Sequence, residues 1–109
     1  ADEKLLSQVL INLLKNAMQA LEGQADGKIR MEVDTEKNQL LIRVTDNGPG
    51  VPSDLIEDIF VPFFTTKATG SGIGLSLSRQ IIRMHGGELS VASLPYRETC
   101  FTVSLPVKP

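Results

Sequence analysis

The chain has 109 residues, 41% of them hydrophobic and 22% charged, and a formal net charge of −2 at pH 7. That length allows one domain with a modest core, and the composition is that of an ordinary globular domain. The eleven basic residues are scattered, which argues against a general nucleic-acid or membrane-surface binder, and no apolar run or signal-like opening segment points to a bilayer.

The first segment reads as a helix from about Asp2 to Leu21. Leu5, Leu6, Val9, Leu10, Leu13, Leu14, Ala17, Met18 and Leu21 recur at spacings of three and four and give it a broad apolar face. Asp2 suits its start and Gly23 its end. Alternation follows, with Ile29, Met31 and Val33 on one face and Lys28, Arg30, Glu32 and Asp34 on the other. The polar stretch Glu36-Lys37-Asn38 then turns the chain into a second strand, Leu40 to Asp46, so the two form an antiparallel hairpin. Asn47-Gly48-Pro49-Gly50 is a loop. A short helix is expected over Ser53 to Ile59, then a loop from Phe60 to Gly70. A second long helix runs from about Gly72 to His85, with Ile73, Leu77, Ile81 and Met84 as its buried stripe and Gly86-Gly87 as its stop. Two strands close the chain, Glu88 to Leu94 and Thr99 to Leu105, joined by Pro95-Tyr96-Arg97-Glu98. Helix, hairpin, helices, hairpin predicts an α+β two-layer sandwich, a mostly antiparallel sheet with helices on one face.

The lone cysteine, Cys100, falls in the last strand and reads as a packing residue; it cannot form a disulfide within the chain, which fits a reducing compartment. With one Cys and one His, a structural zinc site is not expected.

Three places invite a chemical reading. Asn12 and Asn16 lie four residues apart and share one helix face. They are either part of a solvated polar stripe with Gln8, Lys15 and Gln19, or amide oxygens offered to magnesium, a hard cation that prefers oxygen ligands. Asp46 shares the parity of Leu40, Ile42 and Val44, so its carboxylate should point to the core side, where burial is costly without partners. It either caps the following loop through backbone N–H groups or accepts from an amino group of a ligand, for which the adenine amine is suited. Gly48 and Gly50 would let the backbone approach a flat base. Gly70-Ser71-Gly72-Ile73-Gly74-Leu75 opens a helix, where free N–H groups and the helix dipole favour phosphate. It is neither a dinucleotide fingerprint nor a Walker A loop, since no strand directly precedes it and no Lys-Ser/Thr follows.

Taken together and in order, NLLKNA, DNGPG, FVPFF and GSGIGL resemble the N, G1, F and G2 boxes of the ATP-binding catalytic domain of sensor histidine kinases. That domain belongs to the wider Bergerat-type fold shared with DNA gyrase, heat-shock ATPase chaperones and mismatch-repair ATPases, and the likeness covers nearly all of residues 1–109. The resemblance implies ATP and Mg²⁺ as ligands. It makes Asn16 the metal-ligating residue, puts Asn12 beside it at the phosphates as the second catalytic residue, and makes Asp46 the acceptor for the adenine amine. Gly48 and Gly50 match the base-pocket glycines. Phe60, Phe63 and Phe64 match the F box, with Phe64 at the nucleotide, and Gly70, Gly72, Ile73, Gly74 and Leu75 match the G2 box, the two together bounding the lid over ATP; ordinary core is the other reading of the three Phe residues. Where many family members carry a basic residue shortly after the second Asn, this chain has Gln19, which leaves Lys15 or Lys67 for the phosphate contact. The lid is short, with Thr65-Thr66-Lys67-Ala68-Thr69 between Phe64 and Gly70, as in the nitrogen-regulation type.

The ATP-hydrolysing relatives usually hold a Glu at the position of Asn12. An amide cannot take a proton near neutral pH, so the resemblance implies transfer to a protein histidine and away from water. His85 ends a helix and reads as a structural residue. The resemblance implies an acceptor on a separate dimerisation domain, with a response-regulator receiver domain downstream. The chain is expected to be monomeric and cytoplasmic, compatible with membrane anchoring of a longer protein, and no nucleic-acid partner is expected. The alternatives are an ATPase of the gyrase or mismatch-repair sort, and a nucleotide-sensing module that has lost catalysis.

Overall fold

The computed structural model describes residues 3–48, 50, 58–60, 74–94 and 98–106. Helix α1 spans Glu3–Ala20. Its last turn tightens through N–H groups of Leu21 and Glu22 donating to Met18 and Gln19 carbonyls, and Gly23 follows with φ 79°, left-handed backbone that suits glycine. Strands β1 (Ile29–Glu36) and β2 (Gln39–Asp46) form the expected hairpin. Lys37 and Asn38, both at positive φ, make the two-residue turn whose twist matches the strands, with Glu36 paired to Gln39. Asp58–Phe60 is a 3₁₀ turn, α2 spans Gly74–Met84, and β3 (Glu88–Leu94) pairs with β4 (Glu98–Pro106).

The four strands lie in the order β1-β2-β4-β3, every neighbour antiparallel. Period-2 alternation puts one set of side chains on the helix side. There Phe101 sits between Val44 and Val91, and Val103 between Ile42 and Leu89. Val9, Leu13 and Ala17 of α1 and Ile81 and Ile82 of α2 close over them, giving the core of a two-layer α+β sandwich. Cys100 is half-buried on the opposite sheet face, with Sγ 4.0 Å from Thr102 Oγ1.

Both helices bury a different or narrower stripe than hydrophobicity predicts. In α1, Leu5 and Met18 are exposed, because the helix meets the sheet and α2 along the line of Leu6, Val9, Leu13 and Ala17. In α2 the expected stripe holds at Ile81 and fails at Leu77 and Met84. Leu77 is 45% and Met84 73% exposed, while Ser78, Ile81 and Ile82 are buried and Leu75 packs against them. The buried face of α2 thus runs through Leu75, Ser78, Ile81 and Ile82, at spacings of three and four, and leaves Leu77 outside it; Ile73 lies outside the described residues. Beyond Met84 the chain closes with Gly86 at φ 78° and the Gly87 N–H donating to the Ile82 carbonyl at 3.0 Å, a Schellman ending. His85 Nδ1 donates to the Ile81 carbonyl at 2.7 Å, one turn back. Of the expected helix over Ser53 to Ile59, residues 53–57 lie outside the described residues, as do residues 61–70 of the loop.

Candidate nucleotide site

Asp46 ends β2 with its side chain on the helix side, as its parity requires, and is 2% exposed. Its cross-strand neighbour on β4, Thr99, is also buried. Asp46 Oδ1 accepts from the Gly48 N–H at 2.9 Å, so the carboxylate does cap the loop that follows it. Gly48 is held close on three sides. A Cβ there would stand 2.8 Å from Asp46 Oδ1, 3.1 Å from the Ala20 carbonyl oxygen and 3.3 Å from Ala20 Cβ. The loop thus rests on the C-terminal end of α1, and Gly50 continues it at φ 77°.

Between these residues Asn47 ties the loop to the α1–β1 connection. Its Oδ1 accepts from the Lys28 N–H at 2.6 Å, its Nδ2 donates to the Asp26 carbonyl at 3.0 Å, and its own carbonyl accepts from Gln24 Nε2 at 2.9 Å. No motif in the sequence singles out this role. Its one signal is an Asx residue at a strand end, which commonly bonds nearby backbone.

Asn12 and Asn16 project from α1 half-buried, one turn apart, and Ala20 stands one further turn along. A slanting row of every fourth residue therefore leads from Asn12 to the Asp46–Gly48 loop, over roughly 12 Å of helix axis at 1.5 Å per residue. Asn12 Nδ2 donates to Ser78 Oγ on α2 at 3.3 Å, and Asn12 Oδ1 accepts from Gln8 Nε2 at 3.2 Å. Ser78 is likewise invisible to sequence reasoning, since a serine in a helical stripe gives no sign of being interior. Lys15 is exposed on α1. Gly74 opens α2, and Leu75 packs against the core behind it. Phe64, Lys67, Gly70, Gly72 and Ile73 lie outside the described residues.

Phe60 belongs to a different place. Its ring meets Phe101 edge-on with centroids 6.4 Å apart, and the Arg79 guanidinium lies 4.4 Å over it. Arg79 and Arg83 both reach Glu88, at 3.6 and 3.3 Å, along an open groove of about 280 Å³ between α2 and β3. Among the described residues, none of the expected nucleotide contacts lines that groove. No three His, Cys, Asp or Glu side chains among the described residues cluster closely enough to hold a metal ion.

The model of the family described as histidine kinase-, DNA gyrase B-, and HSP90-like ATPase matches residues 1–109. The chain is 49% identical over 110 residues to the signal transduction histidine-protein kinase AtoS of Escherichia coli K12, covering 100% of this chain and 18% of AtoS. It is 40% identical over 119 residues to the sensory histidine kinase/phosphatase NtrB of Rhodobacter capsulatus, covering 99% of this chain and 33% of NtrB. It thus spans a third or less of these two relatives' length. Among solved structures, the nucleotide-free catalytic domain of histidine kinase ThkA superposes with TM-score 0.86 at 38% identity, covering 97% of this chain and 68% of that one. The mycobacterial sensor histidine kinase MprB superposes with TM-score 0.86 at 28% identity, covering 100% of this chain and 76% of that one. The fold, the order of the motifs and these likenesses agree: the chain belongs to the histidine kinase-, DNA gyrase B- and HSP90-like ATPase family, among the catalytic domains of sensor histidine kinases.

Proposed function

We propose that the chain binds Mg·ATP and, within a two-component sensor kinase, transfers the γ-phosphoryl group to a histidine on a separate dimerisation domain. The observation that carries this reading is the amide at position 12, bonded to Ser78 beside the opening turn of α2, where a hydrolytic site would need a base. In the transfer the bond from the γ-phosphorus to the β–γ bridging oxygen breaks as the unprotonated imidazole nitrogen bonds the phosphorus; the other ring nitrogen gives up its proton, and ADP departs. Such reactions depend mostly on alignment and charge stabilisation, so a domain without a base can serve.

The residues divide the work along α1. Asp46 holds the adenine amine, Gly48 and Gly50 let the base approach the backbone, and Asn12 and Asn16 face the phosphates. The donor set fits magnesium, because half-buried amide oxygens one turn apart are hard, neutral ligands that leave room for water and phosphate oxygens. Asn16 would hold the ion, which neutralises phosphate charge when bound. Gly74 and Leu75, with Gly70, Gly72 and Ile73 by resemblance, supply backbone N–H groups at the start of α2. Phe64 and Lys67 belong to the lid by the same resemblance, and Lys15 or Lys67 supplies the phosphate cation. A response-regulator receiver domain would accept the phosphoryl group next. Among the described residues no helix is long and apolar enough to cross a membrane, and a cytoplasmic location goes with this reading.

The test is turnover by the chain alone with Mg·ATP. Nucleotide should bind while phosphate release stays near the uncatalysed background. Rapid hydrolysis would favour the water-transferring relatives.

A further inference from the structure

Ser78 is a serine where a core residue belongs. It is 0% exposed, inside the stripe formed with Leu75, Ile81 and Ile82. A buried hydroxyl needs a partner. Its partner is Asn12, a residue 66 positions away on the other helix, whose Nδ2 donates to Ser78 Oγ at 3.3 Å. A mid-helix serine can place its own proton on the carbonyl one turn back, which leaves its lone pairs for this bond.

An asparagine amide has two unlike ends. A half-turn about its last torsion exchanges an acceptor for a donor at nearly the same position. With Nδ2 taken by α2, Oδ1 is left toward the outer side of α1, where exposed Gln8 donates to it at 3.2 Å. Gln8 is a solvated side chain and readily displaced; Ser78 is fixed in the core. The two bonds are therefore not equivalent, and the buried one sets the amide.

Resting on the reading of Asn12 as a residue at the phosphates, we propose that Ser78 is a positioning residue: by holding Nδ2 it fixes the Asn12 amide and leaves Oδ1 as the end that can exchange exposed Gln8 for the shell of the magnesium ion. Fixed this way, Asn12 meets the ion or its bound water as an acceptor. Turned over, it would offer N–H to a phosphate oxygen and withdraw the acceptor. The bond also joins the second turn of α2 to α1, so the helix whose first turn faces the phosphates is held in register with the amides that face the metal.

The test uses this chain with Ser78→Ala, Ser78→Cys, Ser78→Thr, Asn12→Ala and the Asn12→Ala/Ser78→Ala double variant. Thermal unfolding checks each fold, and ATP binding is measured by calorimetry without metal and across a magnesium titration. Ser78→Ala and Ser78→Cys should raise the magnesium concentration for half-maximal enhancement of ATP binding about threefold or more, since sulfur is a weak acceptor. Ser78→Thr, which keeps the hydroxyl, should stay within about twofold of the parent. Asn12→Ala should shift the midpoint at least as far, and the double variant no further than Asn12→Ala, because the two residues act as a unit. Metal-free ATP affinity should hold in the three Ser78 variants.

If Asn12→Ala moves the magnesium midpoint but Ser78→Ala and Ser78→Cys do not, the positioning role is wrong and the functional reading stands. A lowered unfolding temperature with an unmoved midpoint overturns the positioning role equally, since it marks Ser78 as merely structural. If Asn12→Ala itself leaves the midpoint unmoved, the reading of Asn12 fails and the proposal falls with it.

Discussion

The Gly48 amide donates to the carboxylate of buried Asp46 at 2.9 Å, and the space a side chain would need at Gly48 is the space that oxygen occupies. One contact thus explains both residues of the strand-end motif. Gly48→Ala would press its methyl on Asp46 Oδ1 and on Ala20. Overpacking of this kind costs about 1–3 kcal/mol, and calorimetry should show weakened ATP binding alongside a lower unfolding temperature.

Asp46→Asn tests the base contact more directly. A carboxylate accepts a charge-assisted bond roughly twice as strong as a neutral one, so ATP affinity should fall by about tenfold or more. The parent should prefer ATP to GTP, because a carboxylate is repelled by the guanine carbonyl. Equal calorimetric affinities for the two nucleotides would remove the adenine assignment.

Asn16→Ala should leave the fold intact, since the side chain is only half-buried, and weaken ATP binding chiefly when magnesium is present. Normal binding by this variant at limiting magnesium would take the metal away from Asn16.

The buried face of α2 has its own consequence. Ile82 is 0% exposed, and truncating such a side chain to Ala costs about 2–5 kcal/mol. Met84, 73% exposed, should change stability by no more than about 0.5 kcal/mol when replaced by Ala. Denaturant unfolding of the two variants compares them, and equal losses would restore the stripe expected from hydrophobicity.

What the sequence makes legible follows from what local patterns can carry. Alternation marks β1, although all eight of its residues are exposed, and β2 buries the face that its parity picks out. The parity of Asp46 with Val44 likewise announces an inward carboxylate. The stripe of α2 is partly misread because Ser78 is polar and buried while Leu77 is apolar and exposed, and the partner of Ser78 lies on α1, 66 residues away. Asn47 escapes notice for a related reason: its partners at Asp26 and Lys28 are brought beside it only when β1 and β2 pair. Phe60 matches the F box and, like any apolar ring, also reads as core; among the described contacts it packs on Phe101 and under Arg79.

The claim that the amide at position 12 directs phosphoryl transfer to protein is tested most directly by transfer in trans. The chain is incubated with radiolabelled Mg·ATP, with and without the dimerisation domain of the full-length kinase, and labelled protein is treated with acid and with alkali. The account predicts no label on the chain alone, and label on the added domain that acid removes and alkali spares, as expected of phosphohistidine. Stable label on His85 of the chain itself, or consumption of ATP as free phosphate with the added domain unlabelled, would contradict it.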